Sequence, residues 1–240
     1  MNFDFLSRTG LLVSNEKLTV LRNSHVAIFG LGGIGSCAAE MLFRGGIGKL
    51  TIIDGDIVVL SNLNRQLHSL RSNLNNEKTI VLQDRLQSIN PNLEVHRIQR
   101  YLKYRQDFTQ IFENNTFDFV LDCIDTLTSK CILIETAYNK KIPIVVSFGA
   151  GGRLDPTQIQ IADISKTKNC RLAYYVRKKL HKVGIYNGIQ TVFSTEIPRK
   201  DCLTLEEPVQ GKKSTIGTIS YMPNLFGCFA ASIVIRTLLE

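Results

Sequence analysis

The chain of 240 residues, 44% hydrophobic and 21% charged, is long enough to bury a sizeable core and is not collagen-like, disordered or coiled-coil in composition. A formal charge of +8 is a moderate basic excess that suits a polyanionic partner without requiring one. Six cysteines without a single CxxC pair support neither a disulfide framework nor a zinc site. The N-terminal MNFDFLSRTG carries no export pattern, so the expected location is the cytoplasm.

In chain order, a helix-like stretch from Asn15 to Leu21 precedes HVAIF (25–29), a short apolar run that ends in glycines and reads as a first strand entering a turn. SCAAEMLF (36–43) reads as a helix, KLTIID (49–54) as the second strand, and residues 75–89 as a helix that stops before Pro91. LEVHRI (93–98), FDFVLDC (117–123) and IPIVVSF (142–148) supply three more strands, with a helix between Thr126 and Lys140. Strands alternating with helices at this spacing predict a parallel sheet with right-handed crossovers.

The later segments have another texture. QIQIADI (158–164) and GIQTVFSTEI (188–197) flank a basic helix near 170–182, and a final apolar helix starts near Asn224. Within that last helix LFGCFAASIVI (225–235) is eleven residues long, short of the roughly 20 that span a membrane. The expected fold is α/β, a Rossmann-like, doubly wound, largely parallel sheet extended by C-terminal strands, antiparallel by expectation. It is read as one unit over 1–240, with a nucleotide-binding half (1–150) and a substrate-side half (151–240).

GLGGIG (30–35) places Gly30, Gly32, Gly33 and Gly35 between the first strand and the first long helix. The first glycine of such a turn permits the tight bend, the second lets backbone approach phosphate, and the helix N-terminus carries partial positive charge. Asp54, at the end of the second strand, can accept hydrogen bonds from ribose hydroxyls. By itself this pattern fits NAD and ATP equally, and a glycine turn can also serve only to pack helix on strand. GGIGKLT (45–51) imitates a phosphate loop but has Phe43 where the leading glycine belongs.

Beyond Asp54 come Asn62, Asn64, Arg65 and Gln66, then Lys78. A triphosphate concentrates more charge than a dinucleotide and calls for fixed cations, which Arg65 can supply as a planar fork and Lys78 as a point charge. Asp125, just past the fourth strand, stands where open α/β sheets bind ligands and could hold a hard cation or cap the following helix.

GLGGIGS (30–36), Asp54, NLNRQ (62–66), Lys78 and DCIDT (122–126) together resemble the ubiquitin-activating-enzyme-like adenylating superfamily. The resemblance implies that ATP binds here and that a carboxylate attacks its α-phosphate. It assigns Asp54 to the ribose, Arg65 and Lys78 to the phosphates, Asn64 and Gln66 to the polar frame, and Asp125 to Mg2+. Arg8, in SRTGLL (7–12), matches an arginine that in this superfamily reaches the partner's ATP across a homodimer.

GAGGRLDPTQIQIADISKT (149–167) and VFSTE (192–196) resemble the tRNA threonylcarbamoyladenosine dehydratase branch. That resemblance, running from about Arg8 to the last helix, implies adenylation of the threonyl carboxylate of N6-threonylcarbamoyladenosine at position 37 of tRNA. The neighbouring carbamoyl group then closes the ring and AMP leaves. It also implies an alkali ion, K+ or Na+, and a possible sulfur-transfer-type protein partner. The expected tRNA contacts are Lys166, Lys168, Arg171, Lys178 and Lys182, from a stretch (165–182) with seven Lys or Arg and no acid. On its helix Leu172, Val176, Leu180 and Val183 are expected to face inward.

Three other readings stand beside this one. Adenylation of a carrier protein's C-terminal glycine fits the first half, although the paired zinc cysteines usual there are missing. A nicotinamide-dependent oxidoreductase leaves NLNRQ without a purpose, and a non-catalytic tRNA-binding module does the same for Arg65, Lys78 and Asp125.

Overall fold

The computed structural model describes residues 5–199, 201–204 and 215–240. Its centre is a seven-stranded sheet of order β3-β2-β1-β4-β5-β7-β6. The strands are β1 (His25–Phe29), β2 (Lys49–Asp54), β3 (Glu94–Gln99), β4 (Phe119–Asp122), β5 (Ile144–Ser147), β6 (Ile159–Asp163) and β7 (Gln190–Ser194). All neighbours pair in parallel except β6 on β7. The later strands extend the same sheet as expected; β7 joins in parallel first, and only the outermost strand, β6, is antiparallel.

β1, β4 and β5 are buried along their whole length, which is why they read as continuous apolar runs instead of alternating ones. One face is covered by α2 (Asn15–Asn23), α3 (Gly33–Arg44), α4 (Lys78–Ile89) and α8 (Tyr221–Leu239). The other carries α5 (Arg105–Glu113), α6 (Leu127–Asn139) and α7 (Arg171–His181). A further helix, α1 (Ser7–Val13), rests at the far end of α3, where the tilted rings of Phe5 and Phe43 lie 5.7 Å apart.

The final helix is longer than the apolar run suggested. Pro223 sits within its first turn, where the missing N–H costs no helical bond, so the helix starts at Tyr221 and runs 19 residues. By length and composition alone it could cross a membrane. Here Met222, Phe226, Ala230, Ile233 and Val234 are buried against α3 and the sheet. Gly227 permits this close contact, since a Cβ there would come 2.6 Å from the Ile34 carbonyl oxygen.

The segment 198–217 reads in the sequence as long and mixed in charge, with no site residue recognised in it; residues 200 and 205–214 lie outside the described part. The flanking pieces form a two-stranded antiparallel pair, β8 (Leu203–Thr204) with β9 (Thr215–Ile216).

Candidate active site

The strand order reverses between β1 and β4, and open sheets bind ligands beyond the strand ends at such a point. The turn from β1 into α3 fills one side of it. Gly30 has φ +92°, a conformation that favours glycine, and a Cβ there would sit 2.8 Å from the Cys123 carbonyl oxygen. A Cβ on Gly35 would land on the Gly30 carbonyl oxygen. Gly32 is different: its Cβ position meets nothing within 4 Å, so the backbone there borders open space at the N-terminus of a 12-residue helix. An anion can approach that backbone closely.

Asp54 ends β2 and is anchored through both oxygens, accepting the Leu31 N–H at 2.6 Å and the Asp56 N–H at 2.7 Å. The second strand and the glycine turn are thereby held in one register. Lys78 opens α4, is almost fully buried, and pairs with Asp56 at 2.8 Å. Asp56 also accepts the Tyr101 hydroxyl at 2.8 Å. The expected phosphate ligand thus has a carboxylate partner in its own chain, one that sequence reasoning passed over although it lies two residues from Asp54.

The segment that includes NLNRQ lies between the glycine turn and the start of α8. Asn62 Oδ1 accepts the Val59 N–H at 3.2 Å, and Asn62 and Gln66 are both buried. Asn64 donates to the Thr218 carbonyl at 3.1 Å, and Asn224 of α8 donates to the Arg65 carbonyl at 3.2 Å. The half-buried Arg65 side chain donates from Nη1 to the Ser61 carbonyl at 2.8 Å and to Asn64 Oδ1 at 2.9 Å. Burial lowers the Arg65 pKa, and the charge of Asp125 acts against that shift. Asp125 is exposed, three residues past β4, while Thr126 stands at the N-cap of α6.

Two buried groups beneath this surface gave no sequence signal of their own. Lys130 is fully buried, pairs with the fully buried Asp122 at 2.8 Å and donates to the Ser147 carbonyl at 2.9 Å. Burial raises the Asp122 carboxyl pKa, opposed by Lys130 and by the Ile124 N–H. His68 is also buried, with neither ring nitrogen hydrogen-bonded among the described residues. Burial pushes its pKa down to about 3, helped by the positive charges of Lys78 and Arg85.

The second-half motifs meet in one joint. Arg153, buried, donates to the carbonyls of Gly149, Glu196 and Asn169. The Glu196 carboxylate accepts the N–H groups of Leu154 and Asp155 at 2.9–3.0 Å. GAGGRLDP and VFSTE, far apart in sequence, are therefore one structural unit beside the sheet's C-terminal edge.

On α7, Ala173, Val176 and Leu180 are buried, whereas Val183 lies past the helix end and is exposed, contrary to its expected inward position. Lys166, Lys168, Arg171, Lys178 and Lys182 are all exposed. Arg8 stands apart from the rest, on α1 at the end of α3 opposite the glycine turn.

The ThiF family model matches residues 6–240. The tRNA threonylcarbamoyladenosine dehydratase of Bacillus subtilis is 36% identical over 98% of this chain and 94% of its own. The Escherichia coli protein of the same name is 34% identical over 96% of this chain and 92% of its own. The crystal structure of the E. coli dehydratase in complex with ATP superposes with a TM-score of 0.88 at 33% identity, covering 98% of this chain and 93% of that one.

Proposed function

The chain belongs to the ThiF family, and from that premise we propose that it is an ATP-dependent tRNA threonylcarbamoyladenosine dehydratase. It adenylates the threonyl carboxylate of N6-threonylcarbamoyladenosine at position 37 and releases pyrophosphate. The carbamoyl group then displaces AMP to close the ring. The observation that carries this reading is the gathering of Asp54, Arg65, Lys78 and Asp125 around the open Gly32 backbone at the sheet's switch point.

In this reading ATP lies along that surface. Asp54 takes the ribose, the Gly30, Gly32, Gly33 and Gly35 turn approaches the phosphates, and Arg65 and Lys78 neutralise them. Asn62, Asn64 and Gln66 keep Arg65 in place by fixing the loop that bears it. Lys78 exchanges part of its Asp56 contact for phosphate oxygens when the nucleotide arrives.

Asp125 suits a Mg2+ ion, since a hard cation takes carboxylate and phosphate oxygens and keeps several waters. No cluster of three or more His, Cys, Asp or Glu side chains assembles among the described residues; Asp125 would hold the ion together with phosphate oxygens and water. When bound, the ion offsets charge on the departing pyrophosphate. An alkali ion, K+ or Na+, completes the cofactor set.

Ring closure requires no enzyme nucleophile, because the attacking carbamoyl group is already part of the substrate and gains from proximity. The enzyme's task is to position tRNA, for which Lys166, Lys168, Arg171, Lys178 and Lys182 provide phosphate contacts. Arg8, remote from its own chain's cluster, serves the partner's phosphates in a homodimer. The setting is the cytoplasm, and a sulfur-transfer-type protein is a possible additional partner.

The test is direct. Purified protein with ATP, Mg2+ and tRNA bearing the linear modification should yield a nucleoside lighter by one water in mass spectrometry. Folded, ATP-binding protein that leaves the nucleoside unchanged would refute the assignment.

A further inference from the structure

Helix α7 exposes more than cations. Tyr174 and Tyr175 are 53% and 39% exposed, on the helix whose buried side is Ala173, Val176 and Leu180. Their rings are 5.2 Å apart at 73°, and the Arg171 guanidinium lies 5.7 Å over the Tyr175 ring. Each residue of the trio thus constrains its neighbour's orientation through edge-to-face and cation–π contacts.

The position of the trio is fixed as well. Asn169, just before α7, donates to the Thr195 carbonyl at 2.6 Å, at the C-terminal end of β7. Its own carbonyl accepts Arg153 at 2.8 Å. These bonds tie the first turn of α7, and with it Arg171 and the two tyrosines, to the edge of the sheet that carries the nucleotide cluster.

Cations alone would serve a duplex, which proteins hold through phosphates and shape. Interleaved aromatic rings suit bases that are out of a stack. A base whose substituent must reach an ATP α-phosphate has to leave its neighbours, and that unstacking needs compensation.

We propose that Tyr174, Tyr175 and Arg171 form a stacking platform for an unstacked base of the anticodon loop, next to the modified adenosine. This rests on the tRNA reading above. Lys178, further along the same helix, and Lys182, at its C-cap, contact the backbone of the same strand. The platform contributes to binding and placement of the loop and takes no part in bond making.

The chain has no tryptophan and seven tyrosines, so stacking can be read as quenching of tyrosine fluorescence. The experiment titrates intact protein with a labelled anticodon stem-loop RNA and, separately, with a blunt RNA duplex. It compares wild type with Tyr174→Ala/Tyr175→Ala and Tyr174→Phe/Tyr175→Phe, with ATP binding as the control for folding. We expect the alanine pair to bind the stem-loop roughly 5- to 150-fold more weakly, the range for losing one stacked base. Duplex and ATP binding should not change. The phenylalanine pair should restore the stem-loop affinity, and quenching should accompany stem-loop binding in wild type only.

Equal stem-loop affinity in wild type and the alanine pair overturns the platform while leaving the tRNA reading intact. So does an equal loss on the duplex, or a change in oligomeric mass that assigns the rings to a subunit contact. Wild-type protein that binds neither RNA overturns both.

Discussion

The nucleotide edge and the outer face of α7 both concentrate charge, in opposite ways. At the nucleotide edge the charged groups are held by their own chain: Asp54 by two N–H groups, Lys78 by Asp56, Lys130 by Asp122. On α7 the cations stand in water, with Lys178 exposed on a helix whose other side is buried and Lys182 exposed at its C-cap. Prepaid order of the first kind suits a reaction that needs atoms placed to within fractions of an ångström. The second kind yields attraction that tolerates a mobile, polyanionic partner and is screened by salt.

Removing one partner of a buried pair should have the largest effect. Lys130→Ala leaves the Asp122 carboxylate without its cation where neither group is exposed. The loss should be about 3–5 kcal/mol of unfolding free energy in a denaturant titration. A variant as stable as wild type would show that water or another group takes over the pairing.

Arg65→Ala should instead leave stability nearly unchanged, because its side chain is half-exposed and bonded to neighbouring loop oxygens. In the proposed reaction it removes a fixed donor to the phosphates. AMP formation with saturating tRNA should fall about 10²- to 10³-fold. A fall confined to tRNA affinity would move Arg65 out of the nucleotide site and weaken the contrast between the two regions.

Much of this arrangement was legible in the sequence. The bounds of β1 and β2 coincide with those read from HVAIF and KLTIID, because each is a buried apolar run bounded by glycine or charge. α5 went unread although Phe108, Ile111 and Phe112 follow helical spacing and are buried. Its start is set by Asp107 accepting the N–H groups of Lys103 and Tyr104, a local bond that composition does not announce. Asp56, Lys130 and His68 were passed over for a related reason: what distinguishes them is burial and partnership across the fold, which no local pattern encodes. Val183 was misplaced because helical spacing was carried two residues past His181, where α7 ends.

His68 gives a pH test of the buried region. Its pKa is pushed down to about 3 in the folded chain, against the ordinary value of 6.5. Between those values the unfolded chain binds a proton that the folded chain refuses, so stability falls as pH drops below 6.5. The slope should approach about 1.4 kcal/mol per pH unit well below 6.5. His68→Leu, close in volume and without a proton to bind, should flatten that part of the profile in thermal melts between pH 6.5 and 4. An unchanged slope would mean that the imidazole reaches water or a partner in solution.

The smallest effects belong to α7, and they are distinguished by their dependence on salt. Lys178→Ala and Lys182→Ala should each leave stability and ATP binding as they are, since both side chains are exposed. If each lysine neutralises one tRNA phosphate, its loss should reduce the slope of log K against log salt by about 0.7–0.9. Affinity at low ionic strength should then fall several-fold, and wild type and variant should converge as salt rises. Arg65→Ala should show no such convergence, because a half-buried charge beside Asp125 is screened less than one in water. Two exposed lysines that alter catalysis equally at all salt concentrations would mean that α7 contributes shape instead of charge, and the contrast between the two regions would fail.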